Sequence, residues 1–131
     1  MSTIDKYSSS NIPLQLSQNC VIASIQVDLT EEVNIQFRNK LLDFIHTTGA
    51  TGVIMDVSGV ELMDLDDFDG LRKTISMVKV MGAHSVISGL NPGVVSSLIE
   101  LGAETDDIEA ALDLDEAFLL IKDLRSHQGL D

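Results

Sequence analysis

The sequence is short of cations. Eight Lys and Arg stand against 21 Asp and Glu, a formal net charge of −13. Nucleic-acid binding depends on Lys and Arg neutralising phosphates, so that class is excluded, and anionic membrane surfaces go with it. Aromatic residues are only 4% of the chain and Trp is absent, which leaves Val, Ile, Leu, Met and Ala to build the core. One cysteine, Cys20, allows no internal disulfide, as suits a reducing cytoplasm, where the protein is expected. Next to the apolar run Val21-Ile22-Ala23, Cys20 itself is expected as a small core residue. No apolar stretch reaches the roughly 18 residues that span a bilayer. Residues Met1–Asn11 are Ser-rich without a hydrophobic signal core, and are expected to form a flexible tail.

Signatures of catalysis are scarce too. The chain has no G-x-G-x-x-G, no G-x-x-x-x-G-K-[ST], no G-x-S-x-G and no C-x-x-C. His46, His84 and His127 stand far apart, and none has a partner at metal-ligand spacing. His46 falls near a helix C-terminus, where a partly charged imidazole is electrostatically welcome, so its expected role is structural. No catalytic residue, cofactor or metal is expected, and the protein is not expected to be an enzyme.

What is present is an alternation of strands and helices. Ile12–Ser17 alternates apolar and polar residues, with Pro13 restricting it to an edge or to the start of a strand. Gln18-Asn19 marks a turn into a second strand, Cys20–Val27, and so short a link predicts a hairpin. Thr30 caps a helix carrying Val33, Phe37, Leu41, Phe44 and Ile45, stopped at Gly49. Gly52–Val57 reads as an internal strand. A helix through Leu71, Ile75, Val78 and Met81 ends at Gly82. His84–Ser88 is the next strand, and Pro92 opens a helix carrying Val95, Leu98, Ile99 and Leu101. A short strand near Ile108–Ala111 precedes a last helix, opened by Asp113 with Glu116 three residues on, bearing Phe118, Leu119 and Ile121 to about Arg125. The pattern predicts one α/β domain over residues 12–125. It has a mixed, mostly parallel sheet, an N-terminal hairpin and about four helices, with a C-terminal tail at 126–131.

Acidity concentrates in two places, five residues in Glu61–Asp69 and seven in Glu104–Glu116. Each is either a solvated helix start or a negative surface that meets a basic partner. The first cluster, Asp64, Asp66, Asp67 and Asp69, lies where a strand hands over to a helix whose first N–H groups attract anions. A Mg²⁺-dependent, phospho-accepting receiver would use such carboxylates. It would also need an acidic pair after an early strand and a lysine after a late one. Here those strands end Gln26-Val27-Asp28 and Ser88-Gly89-Leu90.

The run from Asp64 through Phe68, Gly70 and Leu71 to Lys79-Val80-Met81-Gly82-Ala83 resembles the STAS domain of bacterial anti-sigma factor antagonists. Cys20–Gln26, Thr48–Val53, Leu98–Gly102 and Ile108–Leu114 resemble the RsbS-type stressosome scaffolds within that family. The resemblance covers roughly Ile12 to Leu124. It implies a protein that binds an RsbT-like switch kinase and RsbR-like STAS paralogues in stress signalling, with self-association or a large assembly. The alternative within the family is a free anti-sigma factor antagonist that binds an anti-sigma kinase.

In this family a Ser or Thr after the strand-ending aspartate is phosphorylated by a partner kinase, and the added charge at a helix N-terminus changes which partner docks. Counting without a gap from Asp64 to Gly82 puts Leu65 at that phosphoacceptor position. The resemblance therefore implies a docking loop of Asp64, Asp66, Asp67, Phe68, Asp69 and Gly70 whose usual switch is missing. Either the protein is held in an unmodified-like state, or Asp66, Asp67 and Asp69 imitate the phosphate. Ser58 is the leading substitute phosphosite, ahead of Thr74 and Ser76, although its place at a strand end also fits a plain turn residue. Arg72 and Lys73 are expected on the same docking surface.

Overall fold

The computed structural model describes residues 12–127; the expected N-terminal tail and the last four residues lie outside them. Strands β1 (Leu14–Ser17) and β2 (Cys20–Ser24) form the expected hairpin. Its two turn residues, Gln18 and Asn19, both take left-handed backbone conformations at φ 53° and 62°. That geometry matches the natural twist of two-residue hairpins. β2 ends three residues earlier than expected, yet Ile25 and Leu29 beyond it remain fully buried.

Helix α1 (Glu31–Thr48) starts at Thr30, whose hydroxyl accepts the Val33 N–H at 3.3 Å, and ends at Gly49 with φ 69°. Strand β3 (Gly52–Asp56) leads to helix α2 (Leu65–Val80), and β4 (His84–Ser88) to helix α3 (Pro92–Glu100), capped by Asn91. β5 is reduced to Ala110–Ala111. Helix α4 (Leu114–His127) follows Asp113, whose carboxylate accepts the Glu116 N–H at 2.9 Å, and it runs two residues past the expected end.

The five strands lie in sequence order, β1 antiparallel to β2 and all later pairs parallel. Alternation along the strands divides the interior into two cores. Val21, Ala23, Val53, Met55 and Ile87 join Phe37, Leu41, Leu71, Val78 and Leu98 from α1, α2 and α3. Cys20, Ile54 and Val86 point the other way and join Ala117 and Ile121 of α4. Of the apolar positions expected for α3, Leu98 enters the core, where Val94 joins it, whereas Val95, Ile99 and Leu101, the last just past the helix, stay exposed. Leu119 of α4 is exposed as well, while Ile121 is fully buried.

Cys20 sits in the smaller core as expected, but not alone. The Arg125 guanidinium donates to the Asn19 carbonyl at 3.2 Å and to the Cys20 sulfur at 3.3 Å. Burial pushes the thiol pKa up, and the Arg125 charge and hydrogen bond offset part of that rise.

The approach of α4 to the sheet leaves no room at Gly52, where an added Cβ would fall 2.8 Å from Ile121 Cγ2 and 2.9 Å from Cys20 Sγ. Gly52→Ala should therefore cost about 1–3 kcal/mol through overpacking. The change should lower the urea midpoint at an unaltered m-value. A midpoint equal to the parent's would show that α4 seats more loosely.

Candidate functional site

Where the sequence suggests an acidic loop, the chain is already helical. Asp64 is the N-cap of α2, and Leu65 to Gly70 form its first turns. The reason is local. Asp64 Oδ1 accepts the Asp67 N–H at 2.8 Å, and Asp67 Oδ2 accepts the Asp64 N–H at 3.3 Å, a reciprocal capping box. The segment that precedes it, Val57 to Met63, buries Val57, Val60 and Met63 and so holds the helix start against the core.

The six residues expected to dock a partner are therefore not equivalent. Phe68 is only 2% exposed and belongs to the core. Its place three residues before Leu71 on the buried stripe of α2 explains this correction. Asp67 spends its carboxylate on the cap. Asp69 lies 3.7 Å from Arg72. Gly70 faces α1, where a Cβ would come within 2.7 Å of Asn34 Nδ2. Asp66 and the outer edge of Asp64 stand exposed, with the half-buried Leu65 between them, and the Asp69 side chain is about half exposed beside Arg72.

A polar junction fixes α2 against α1. Buried Asn34 donates through Nδ2 to the Leu29 carbonyl at 3.0 Å and to the Asp67 carbonyl at 3.2 Å. Arg38 donates to the Gly70 carbonyl at 2.9 Å and to the Thr74 hydroxyl at 3.0 Å. Thr74 is thereby sealed off, with no exposed surface, while Ser76 is exposed. Ser58 is exposed in a tight turn, its N–H donating to Asp56 Oδ1 at 3.0 Å. Gly89, at φ +78°, passes so close that a Cβ there would meet Ser58 Cβ at 2.9 Å.

Arg72 is not a free docking cation. It makes two hydrogen bonds to Asp107, at 2.9 and 3.3 Å, with Glu104 at 3.8 Å as a further acid. The Arg72 guanidinium holds the Asp107 carboxyl below its ordinary range. This clamp ties α2 to the 101–109 loop, and nothing in the sequence announces a pair 35 positions apart. Asn34 had a signal: it lies on the same helical stripe as Phe37, Leu41 and Ile45. Among the described residues, no group of three or more His, Cys, Asp or Glu side chains is placed to hold a metal ion, and no helix is long and apolar enough to cross a membrane.

A family model described as the STAS domain matches residues 11–117. The chain belongs to the STAS domain family. No curated protein matches it. Solved STAS structures share its fold. RsbS from Moorella thermoacetica, as a Ser-to-Glu variant, is 24% identical with a TM-score of 0.74, over 88% of this chain and 97% of that one. A chain from a structure titled as the molecular architecture of the stressosome, a signal integration and transduction hub, is 24% identical with a TM-score of 0.71, over 86% and 97%. A putative anti-sigma factor antagonist from Thermotoga maritima is 18% identical with a TM-score of 0.71, over 90% and 98%.

The capping box has a titration consequence within this STAS domain. Burial raises the Asp67 pKa first of all; the Asp64 N–H opposes it, and the charges of Asp64 and Asp28 add to the rise. A carboxyl whose folded pKa lies above its unfolded value favours folding at low pH and opposes it once charged. Asp67→Asn keeps an acceptor for the cap while removing the charge. It should raise the melting temperature at pH 7, and the gain should shrink as pH falls towards the ordinary carboxylate range near 4. A lower melting temperature at pH 7, or a gain that grows on acidification, would refute this account.

Proposed function

We propose that this STAS protein is a constitutive, non-switching scaffold or antagonist that acts by contact. Its partners on this reading are an RsbT-like switch kinase and RsbR-like STAS paralogues, in a large assembly. The observation that carries the proposal is Leu65 at the first position of α2, held there by the Asp64–Asp67 box. A hydroxyl at this position would present phosphate to the helix N-terminus, where it stabilises negative charge and alters docking. Leucine offers no such group.

Of the two consequences left open by the sequence, permanent non-modification is better supported than phosphate mimicry. Asp67 is turned back onto the cap and Asp69 towards Arg72, which leaves Asp66 as the one uncommitted carboxylate of the three. A single carboxylate carries about one charge, against nearly two on a phosphoserine. The contact surface is then the exposed edge of Asp64, Leu65, Asp66 and Lys73, without Phe68.

The free anti-sigma antagonist shares this geometry and differs in assembly size. Mixing the protein with an RsbR-like paralogue from the same genome should give a megadalton species on size exclusion; a small complex with an anti-sigma kinase alone would favour the antagonist. The switch itself is tested with the cognate kinase, ATP and phosphopeptide mapping. The parent should carry no phosphate at Asp64–Gly70, and Leu65→Ser should acquire one. Phosphate on Ser58 of the parent would overturn the non-switching reading by moving the switch to the neighbouring turn.

A further inference from the structure

From Val80 to Ile121 the chain carries eight carboxylates and no Lys or Arg. This stretch forms one end of the sheet: β4, α3, the 101–109 loop, β5 and the start of α4. An apolar groove of about 370 Å³ opens there between α3 and β5. Phe68 forms its floor, and Leu90, Val95, Ile99, Ile108 and Leu112 its walls. Ile99 is 54% exposed and Leu112 is 82% exposed, although both are large aliphatic side chains. Among the described residues, the groove's only polar lining residues are Thr105 and Glu116, both exposed at the rim. A small metabolite would need buried polar groups to orient it, and this groove supplies none.

Charge decides the occupant. Glu116 lines the groove itself. Glu104, Asp106, Asp107 and Glu109 are exposed on the 101–109 loop that supplies Thr105 and Ile108, and Asp113 and Asp115 are exposed around the start of α4. The nearest guanidinium, Arg72, is already engaged by Asp107, with Asp69 and Glu104 beside it. A second copy of this chain would bring another −13 against the same rim and be repelled. A partner with apolar anchors and flanking Lys or Arg meets both features at once. The Arg72–Asp107 clamp also fixes the loop that carries Thr105 and Ile108, so one wall is in place before anything binds.

We propose that the α3–β5 groove receives a basic amphipathic helix of a partner protein, its apolar face seated between Ile99 and Leu112 and its cations on the acidic rim. The surface is separate from the exposed edge at Leu65. The proposal holds even if that edge binds nothing.

The test uses the isotopically labelled full-length chain. Its probe is a short helical peptide with Leu and Phe along one face and Lys and Arg on the other. A second peptide keeps the apolar face but carries Glu in place of the cations. The basic peptide should shift amide resonances at Leu90, Val95, Ile99, Ile108 and Leu112, and added salt should weaken it. Ile99→Glu alters an exposed position and should leave the fold intact by circular dichroism while reducing affinity about tenfold or more. No binding, equal binding of the acidic peptide, or binding unchanged by Ile99→Glu would each overturn the proposal. So would a concentration-dependent dimer of the parent that Ile99→Glu abolishes, because a second copy would then own the groove. Resonances at α3 and β5 report here, whereas the Leu65 experiment reads phosphate at α2, so the two readings fail separately.

Discussion

Val53, Ile54 and Met55 have no exposed surface, and they lose it to two different cores. Val53 and Met55 face the helices α1, α2 and α3, while Ile54 faces α4. A strand buried on both faces has its register fixed, because a one-residue slip would exchange the two sets of side chains. β2 and β4 pair with β3 in parallel along its whole length, so their ends are fixed with it. That alignment gathers Asp56, Ser58, Ser88 and Gly89 at one end of the sheet, and it sets where α2 begins.

The start of α2 shows how a cluster of like charges survives in so acidic a chain. Each carboxylate has its own arrangement: Asp64 and Asp67 cap each other's backbone, Asp69 turns towards Arg72, and Asp66 faces water. The helix dipole eases what repulsion remains. Read as a sequence the four look alike, but in the fold they divide into cap, ion-pair and solvent roles. The uncharged residue among them carries the functional argument.

Much of this was legible in the sequence because the physics involved is short-ranged. Thr30, Gly49 and Asp113 mark helix ends through bonds that close within a few residues, Pro92 marks one through its fixed φ and missing N–H, and the hairpin follows from a two-residue link. The apolar run Val53-Ile54-Met55 marks an internal strand covered on one face or on both, and a continuous run cannot choose between them; the fold covers both. The resemblance places Phe68 in the docking loop as part of a linear motif; its spacing from Leu71 and Val78 on one helical stripe is the better guide to its burial. The Arg72 clamp and the groove at Ile99 were beyond reach, as both depend on the 101–109 loop folding back beside α2 and α3. Composition held a partial hint of the groove, for α3 has more apolar residues than one buried stripe needs.

The bond between Arg125 and Cys20 has a further use. The thiol is buried beneath α4, and burial pushes its pKa up, against the pull of the Arg125 charge and hydrogen bond. With Cys20 only 1% exposed beside a cavity shared by the hairpin turn and α4, an alkylating reagent gains access when α4 moves away from the sheet. Cys20 is thus a clock built into the fold: the rate at which it is modified under native conditions measures how often that helix opens, separately from unfolding of the whole domain.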